Sequence, residues 1–166
     1  MKNYVLFLFT ALFLFGCAHI RTIEYDAAGN KILRGTIHRN MIEADSSFPW
    51  FKENYRTYQP DTSVMSILKE SKENIHCLLF FGTWCSDSKL EVPRMFKVFD
   101  ELGISNADVT LIGIDHEKKS VDNLPKKYKI NRIPTLIVFR GEKEIGRIIE
   151  SPIQSIEIDL LAILHK

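Results

Sequence analysis

The chain has 166 residues, 45% of them hydrophobic, which suffices for one globular domain with a real core and is too little for two of ordinary size. Its 22 basic and 21 acidic residues leave a formal charge of +1, which gives no support to a nucleic-acid partner. Three cysteines, at positions 17, 77 and 85, stand in three different settings.

At the N-terminus Lys2 precedes an apolar segment from Tyr4 to Phe15, too short for a membrane span of about twenty residues and the right length for a signal-peptide core. The segment ends in Leu14-Phe15-Gly16-Cys17, which resembles a bacterial lipoprotein lipobox, with Leu three residues before the Cys and Gly one before. The resemblance implies cleavage after Gly16 and lipidation of Cys17, and hence a protein held on a membrane of the bacterial cell envelope, facing the periplasm or exterior. The competing reading is an ordinary secretory signal or an uncleaved anchor. On this basis the chain divides into a signal peptide (1–16), a lipidated N-terminus and extension (17–60), and a folded domain (61–166).

Within the extension, Arg21 to Asp26 alternates, Ala27-Ala28-Gly29-Asn30 supplies turn residues and Lys31 to Ile37 is a second strand, so a β-hairpin is expected. Phe48-Pro49-Trp50-Phe51 with Tyr55 and Tyr58 forms an aromatic cluster, read as a helix or loop packed over the edge of the domain. Asp61-Thr62-Ser63 caps a short helix carrying Val64, Ile67 and Leu68 on one face.

The most informative stretch runs from Leu78 to Pro93. Four apolar residues, Leu78 to Phe81, lead into Gly82, then Trp84-Cys85, then a polar, helix-compatible segment with apolar residues at Leu90, Val92, Met95, Phe96 and Phe99. This is a buried strand, a tight turn and a helix. A thiol at that junction faces unpaired backbone N–H groups and the positive end of the helix dipole, which favour a thiolate. Cys77, in the preceding strand, is read as core packing. It cannot serve as a second redox thiol, because eight extended residues span ~26 Å and a disulfide needs Cα atoms within about 7 Å.

Ala107 to Ile114 reads as a buried strand ending in Asp115-His116, and Leu124 to Tyr128 as a short helix. At the C-terminal end of a parallel strand, His116 is a candidate for assisting proton transfer at Cys85, the competing reading being a solvated loop residue. Leu136–Phe139 and Glu144–Ile149, joined by Arg140 to Lys143, form a hairpin. Ser151-Pro152 then starts a final helix with Ile153, Ile156, Leu160 and Ile163 at helical spacing.

Taken in order, these motifs resemble the thioredoxin family. Trp84-Cys85 stands where the family has its Trp-Cys-x-x-Cys, Pro93 where the family helix carries a kinking proline, and Ile133-Pro134-Thr135 where the family has a cis-proline loop against the active-site sulfur. The resemblance implies an α/β thioredoxin-like fold, a mixed central sheet flanked by helices with an N-terminal extension. It also implies a catalytic group of Cys85, Ser88, Trp84 and Pro134, with Ile133 and Thr135 at the substrate. The departure is as informative. Ser88 replaces the resolving cysteine, giving Cys85-Ser86-Asp87-Ser88, and Leu79 occupies the position six residues before the nucleophile where thioredoxins often bury an acid. Ser88 cannot attack a mixed disulfide, although its hydroxyl can hydrogen-bond to the Cys85 sulfur.

The expected function is thiol-disulfide exchange through a single nucleophilic cysteine, acting on a protein or small-molecule disulfide or thiol. The alternative is a redox-inactive binding or structural module of the cell envelope. No cofactor and no metal is called for, since Cys85 with His116 alone is a poor donor set for Cu(I).

Overall fold

The computed structural model describes residues 21–72 and 74–165. The apolar segment from Tyr4 to Phe15, the lipobox-like Leu14–Cys17 and Cys17 itself lie outside the described residues. Among those described, no helix is long and apolar enough to cross a membrane.

Strands β1 (Arg21–Tyr25), β2 (Lys31–Ile37), β3 (Ile75–Phe81), β4 (Val109–Gly113), β5 (Thr135–Arg140) and β6 (Lys143–Ile149) form one six-stranded sheet in the order β1-β2-β4-β3-β5-β6. Only β3 and β4 pair in parallel. The expected N-terminal hairpin is therefore β1 and β2, and it is joined edge-on to the central sheet through β2 and β4, with Gly35 opposite Gly113. A side chain at Gly113 would meet the Leu33 carbonyl oxygen at 2.2 Å, so a glycine is needed where the hairpin crosses over β4.

Alternation along the strands sends side chains to two apolar layers. Cys77, Leu79, Phe81, Leu111, Leu136 and Val138 face the larger layer, which is closed by α1 (Asn40–Glu43), α2 (Pro49–Thr57), α3 (Thr62–Ser71), α4 (Ser86–Leu102) and α6 (Ile156–Leu164). Phe80, Ile112, Ile137 and Phe139 face the smaller one, closed by the chain around α5 (Leu124–Lys127) and by Trp84. Cys77 is fully buried in the larger layer, and burial pushes its thiol up to about 12.

The aromatic cluster of the extension is α2. Pro49 opens this helix, Tyr58 ends it in extended conformation, and Phe51 is wholly buried with its ring 5.9 Å from that of Phe96 on α4. Asp61 caps α3 by accepting from the Ser63 and Val64 N–H groups at 2.8 and 3.3 Å. The buried face of α3 is Met65 and Leu68, whereas Ile67 is exposed, because the helix turns the residues one position later than Val64 and Ile67 toward the core. Leu90 of α4 is likewise at the surface.

The last helix differs from the sequence expectation. It starts at Ile156, capped by Ser155, whose hydroxyl accepts from the Ile158 N–H at 3.3 Å. The Asp159 carboxylate turns back to accept from the N–H groups of Ile153 (2.6 Å) and Gln154 (3.3 Å). Those two bonds hold the preceding segment as a bend, and Ile153 ends up exposed.

Candidate active site

Parallel pairing brings the ends of β3 and β4 to one edge of the sheet, and antiparallel pairing brings the starts of β2 and β5 to the same edge. The Gly82–Cys85 turn, the Ile114–His116 segment, the β1–β2 turn and the Ile133–Thr135 loop therefore converge there. Cys85 is the N-cap of the 17-residue α4, in extended conformation, with its N–H bonded to the Gly82 carbonyl at 3.0 Å. Its sulfur is partly exposed and donates to the Ile133 carbonyl at 3.6 Å, and the Ile133–Pro134 peptide is cis. No side chain caps the start of α4, so its first N–H groups face the sulfur's surroundings with positive potential.

Ser88 is fully buried one turn along α4, and its hydroxyl accepts from the Gly82 N–H at 3.2 Å. That bond, rather than the expected one to the Cys85 sulfur, is the contact Ser88 makes, because the turn folds back over the first turn of the helix. Ile133 and Thr135 are both buried, with the Thr135 hydroxyl donating to the Arg132 carbonyl at 2.7 Å. Their side chains pack into the fold and shape the loop beside the sulfur.

Trp84 is held on three sides. Its indole N–H donates to the Ile114 carbonyl at 3.0 Å, its ring stacks on His116 at a centroid distance of 4.2 Å, and it lies over Gly82. A β-carbon at Gly82 would come within 2.7 Å of the indole nitrogen and 3.0 Å of Ile133. The ring of His116 is thus part of the Trp84 platform. Its Nε2 is 3.9 Å from an Asp26 carboxylate oxygen in the β1–β2 turn.

The extension reaches the site directly. The buried Thr83 hydroxyl donates to the Lys31 carbonyl at 2.9 Å, and the Lys31 ammonium pairs with Asp45 at 2.5 Å, holding the Asp45 carboxyl down at about 2. Pro93 provides the second link. A proline cannot donate to the Lys89 carbonyl four residues back, and the Asn54 side-chain amide of α2 donates to that oxygen instead, at 3.0 Å. The sequence marked Pro93 as a kink, but only the packing of α2 on α4 reveals its substitute donor.

Two carboxyls are buried away from the sheet edge. Glu157 accepts from the Tyr58 hydroxyl at 2.7 Å and the Asp61 N–H at 3.0 Å. Burial alone opposes its ionisation, but these donors prevail and its carboxyl titrates below the usual value. Glu91 sits 3.4 Å from Arg94, and burial raises its carboxyl above the usual value.

The family model for thioredoxin matches residues 58–159, more than half of the chain. The thioredoxin of Echinococcus granulosus is 31% identical over 70 residues, 42% of this chain and 60% of that one. The thioredoxin of Chlamydia trachomatis is 32% identical over 71 residues, 41% and 61% of the two chains. The chain thus spans about three-fifths of the length of these curated relatives. A protein of unknown function from Pseudomonas aeruginosa shares the fold, with a TM-score of 0.52 at 16% identity over 71% of this chain and 81% of that one. A mixed sheet with a cysteine at the N-cap of the helix after β3, a cis-proline loop beside the sulfur and this match agree: the chain belongs to the thioredoxin family.

Proposed function

We propose that this protein is a thiol-disulfide exchange protein that works through one nucleophilic thiol, Cys85, and that it is tethered to the bacterial cell envelope through a lipidated Cys17. The observation that carries the reading is the placement of a partly exposed sulfur at the N-cap of α4, 3.6 Å from the carbonyl before a cis-proline, with a buried hydroxyl where a second thiol would stand. In the proposed cycle the Cys85 thiolate attacks one sulfur of a substrate disulfide, forming a Cys85 mixed disulfide and expelling the other sulfur as a thiolate. The substrate backbone lies along the Ile133–Thr135 loop. The buried Ser88, its oxygen accepting from the Gly82 N–H, holds the turn before the cysteine and supplies no second thiol. An external thiolate then attacks the substrate sulfur of the adduct and frees Cys85, so electrons pass between partners without net change at the protein.

Ser88→Cys tests this geometry. Positions 85 and 88 are one helical turn apart, within reach of a disulfide. The variant is expected to gain dithiothreitol-driven insulin reduction well above the parent chain and above Cys85→Ser. If S88C reduces insulin no faster than Cys85→Ser, the chain is a binding module of thioredoxin shape, a reading that Leu79 and Ser88 also permit.

A further inference from the structure

The exposed large apolar side chains of the extension, Ile23 (50%) and Tyr25 (67%), both lie on β1, and Arg21, also exposed, shares their face two residues earlier. Among the described residues β1 is the outermost strand on its side of the sheet, and its outer edge is unpaired. The register sets Ile23 opposite Leu33 and Tyr25 opposite Lys31. Because Leu33 enters the larger core layer, Ile23 and Tyr25 point to the helix side of the sheet. There Tyr25 shares a cavity of about 340 Å³ with Pro49 and the half-buried Trp50 at the start of α2.

The acids of this edge are engaged within the protein. Glu24 pairs with Arg34 at 2.6 Å and Asp45 with Lys31 at 2.5 Å, while Asp26 accepts from the Ala28 and Asn30 N–H groups of its own turn at 2.9 and 2.8 Å. Arg21, and Lys89 in the wall of the same cavity, have no carboxylate partner among the described residues. An aliphatic side chain, a tyrosine, a tryptophan and two cations on one edge suit the boundary between lipid headgroups and water, where amphipathic rings and basic side chains concentrate.

The tether selects the occupant. Cys17 stands four positions before Arg21, and four residues reach no further than about 14 Å. A lipid on Cys17 therefore keeps the start of β1 close to the bilayer, whichever way the rest of the domain turns.

We propose that the Arg21–Tyr25 edge, with Pro49 and Trp50, is the face on which the anchored domain rests on the lipid headgroups. The inference rests on the lipid anchor proposed above. It also sets the height of the reacting sulfur. β3, which leads into Cys85, is three strand positions from β1, about 14 Å at the usual spacing. β1 ends at the same edge of the sheet that carries Cys85, so with β1 on the surface that edge opens along the membrane rather than away from it. The partners it fits are proteins whose disulfides lie close to the same membrane.

The test places the lipidated chain in vesicles of equal parts phosphatidylcholine and phosphatidylglycerol that carry a headgroup spin label as quencher. Trp84→Phe leaves Trp50 as the only fluorophore of its kind, and Trp50→Phe leaves Trp84. Trp50 is expected to be quenched about fivefold more strongly than Trp84, and the difference to disappear when Ile23→Ser and Tyr25→Ser are combined. Both substitutions are at exposed positions and leave the core intact. Equal quenching of the two tryptophans, or a difference that survives the double substitution, would overturn the proposal. So would a dimer in detergent that requires Ile23 and Tyr25, which would assign the edge to a second copy of the chain. A second arm separates this from failure of the anchor, which is read from the mass of the peptide containing Cys17. Residues 18–166, which include every described residue, are held on the same vesicles by an N-terminal polyhistidine tag and a nickel-chelating lipid. Stronger quenching of Trp50 there supports the resting face even if Cys17 carries no lipid, and equal quenching contradicts it even if Cys17 is lipidated.

Discussion

At the scale of single residues, the site depends on Gly82 as much as on the cysteine it precedes. The indole of Trp84 occupies the space a side chain at 82 would need, and that placement also gives the indole its bond to the Ile114 carbonyl. Gly82→Ala is therefore expected to displace Trp84 and to destabilise the fold by roughly 1–3 kcal/mol. The check is urea unfolding together with Trp84 emission in a Trp50→Phe background; an unchanged emission maximum and midpoint would show that the turn tolerates a β-carbon. The place of Cys85 at the start of the helix and the cis-proline loop were legible in the sequence because Trp84-Cys85 and Ile133-Pro134-Thr135 are local patterns. The Ser88 bond to Gly82 was not, since it depends on how the turn folds back over the helix. Nor was the stacking of His116 on Trp84: its place after a strand suggested the sulfur, and which ring it packs against depends on how the turn places the indole.

At the scale of elements, α4 combines a start capped by Cys85 with a proline-interrupted middle, and it stops at Gly103, whose left-handed backbone lets the N–H groups of Gly103 and Ile104 close the last turn. The carbonyl orphaned by Pro93 is satisfied from another helix by Asn54. Asn54→Ala removes that donor and is expected to cost ~1 kcal/mol in urea unfolding, with the loss absent when Pro93 is replaced by Ala in the same chain. Equal losses in both backgrounds would mean that Asn54 acts through something other than the Lys89 carbonyl. Strand and hairpin positions followed closely from alternation and turn residues, as in β1–β2 and β5–β6. The start of α6 did not, because Ser151-Pro152 and Ser155 are both good helix starts and the choice was made by Asp159, whose carboxylate captures the residues between them.

At the scale of the whole molecule, the N-terminal extension is part of the fold. Its hairpin is bonded to β4, its helix α2 buries Phe51 against α4, and its Lys31 carbonyl holds Thr83 in the turn before the cysteine. The sequence showed the hairpin and the aromatic cluster as pieces. It could not show that β2 pairs antiparallel with a strand more than seventy residues away in the chain, a contact decided by tertiary packing. A fragment beginning at residue 58, where the family match starts, would expose the β4 edge and the α4 face that Phe51 covers. It is expected to lose at least the ~3–5 kcal/mol of one large core side chain and to associate, read by circular dichroism and size-exclusion chromatography. A monomeric fragment with the parent's unfolding midpoint would show the extension to be dispensable.

The most direct test of the single-thiol account is to react the full chain in detergent with a small symmetrical disulfide and map the adducts on Cys17, Cys77 and Cys85 by peptide mass over time. The account predicts rapid formation of one mixed disulfide at Cys85 that persists until an external thiol is added, because Ser88 cannot displace it, while Cys77, buried and with its thiol pushed up to about 12, stays unmodified. A Cys85 that reacts no faster than Cys77, or an adduct that collapses into a Cys77–Cys85 disulfide, would contradict it.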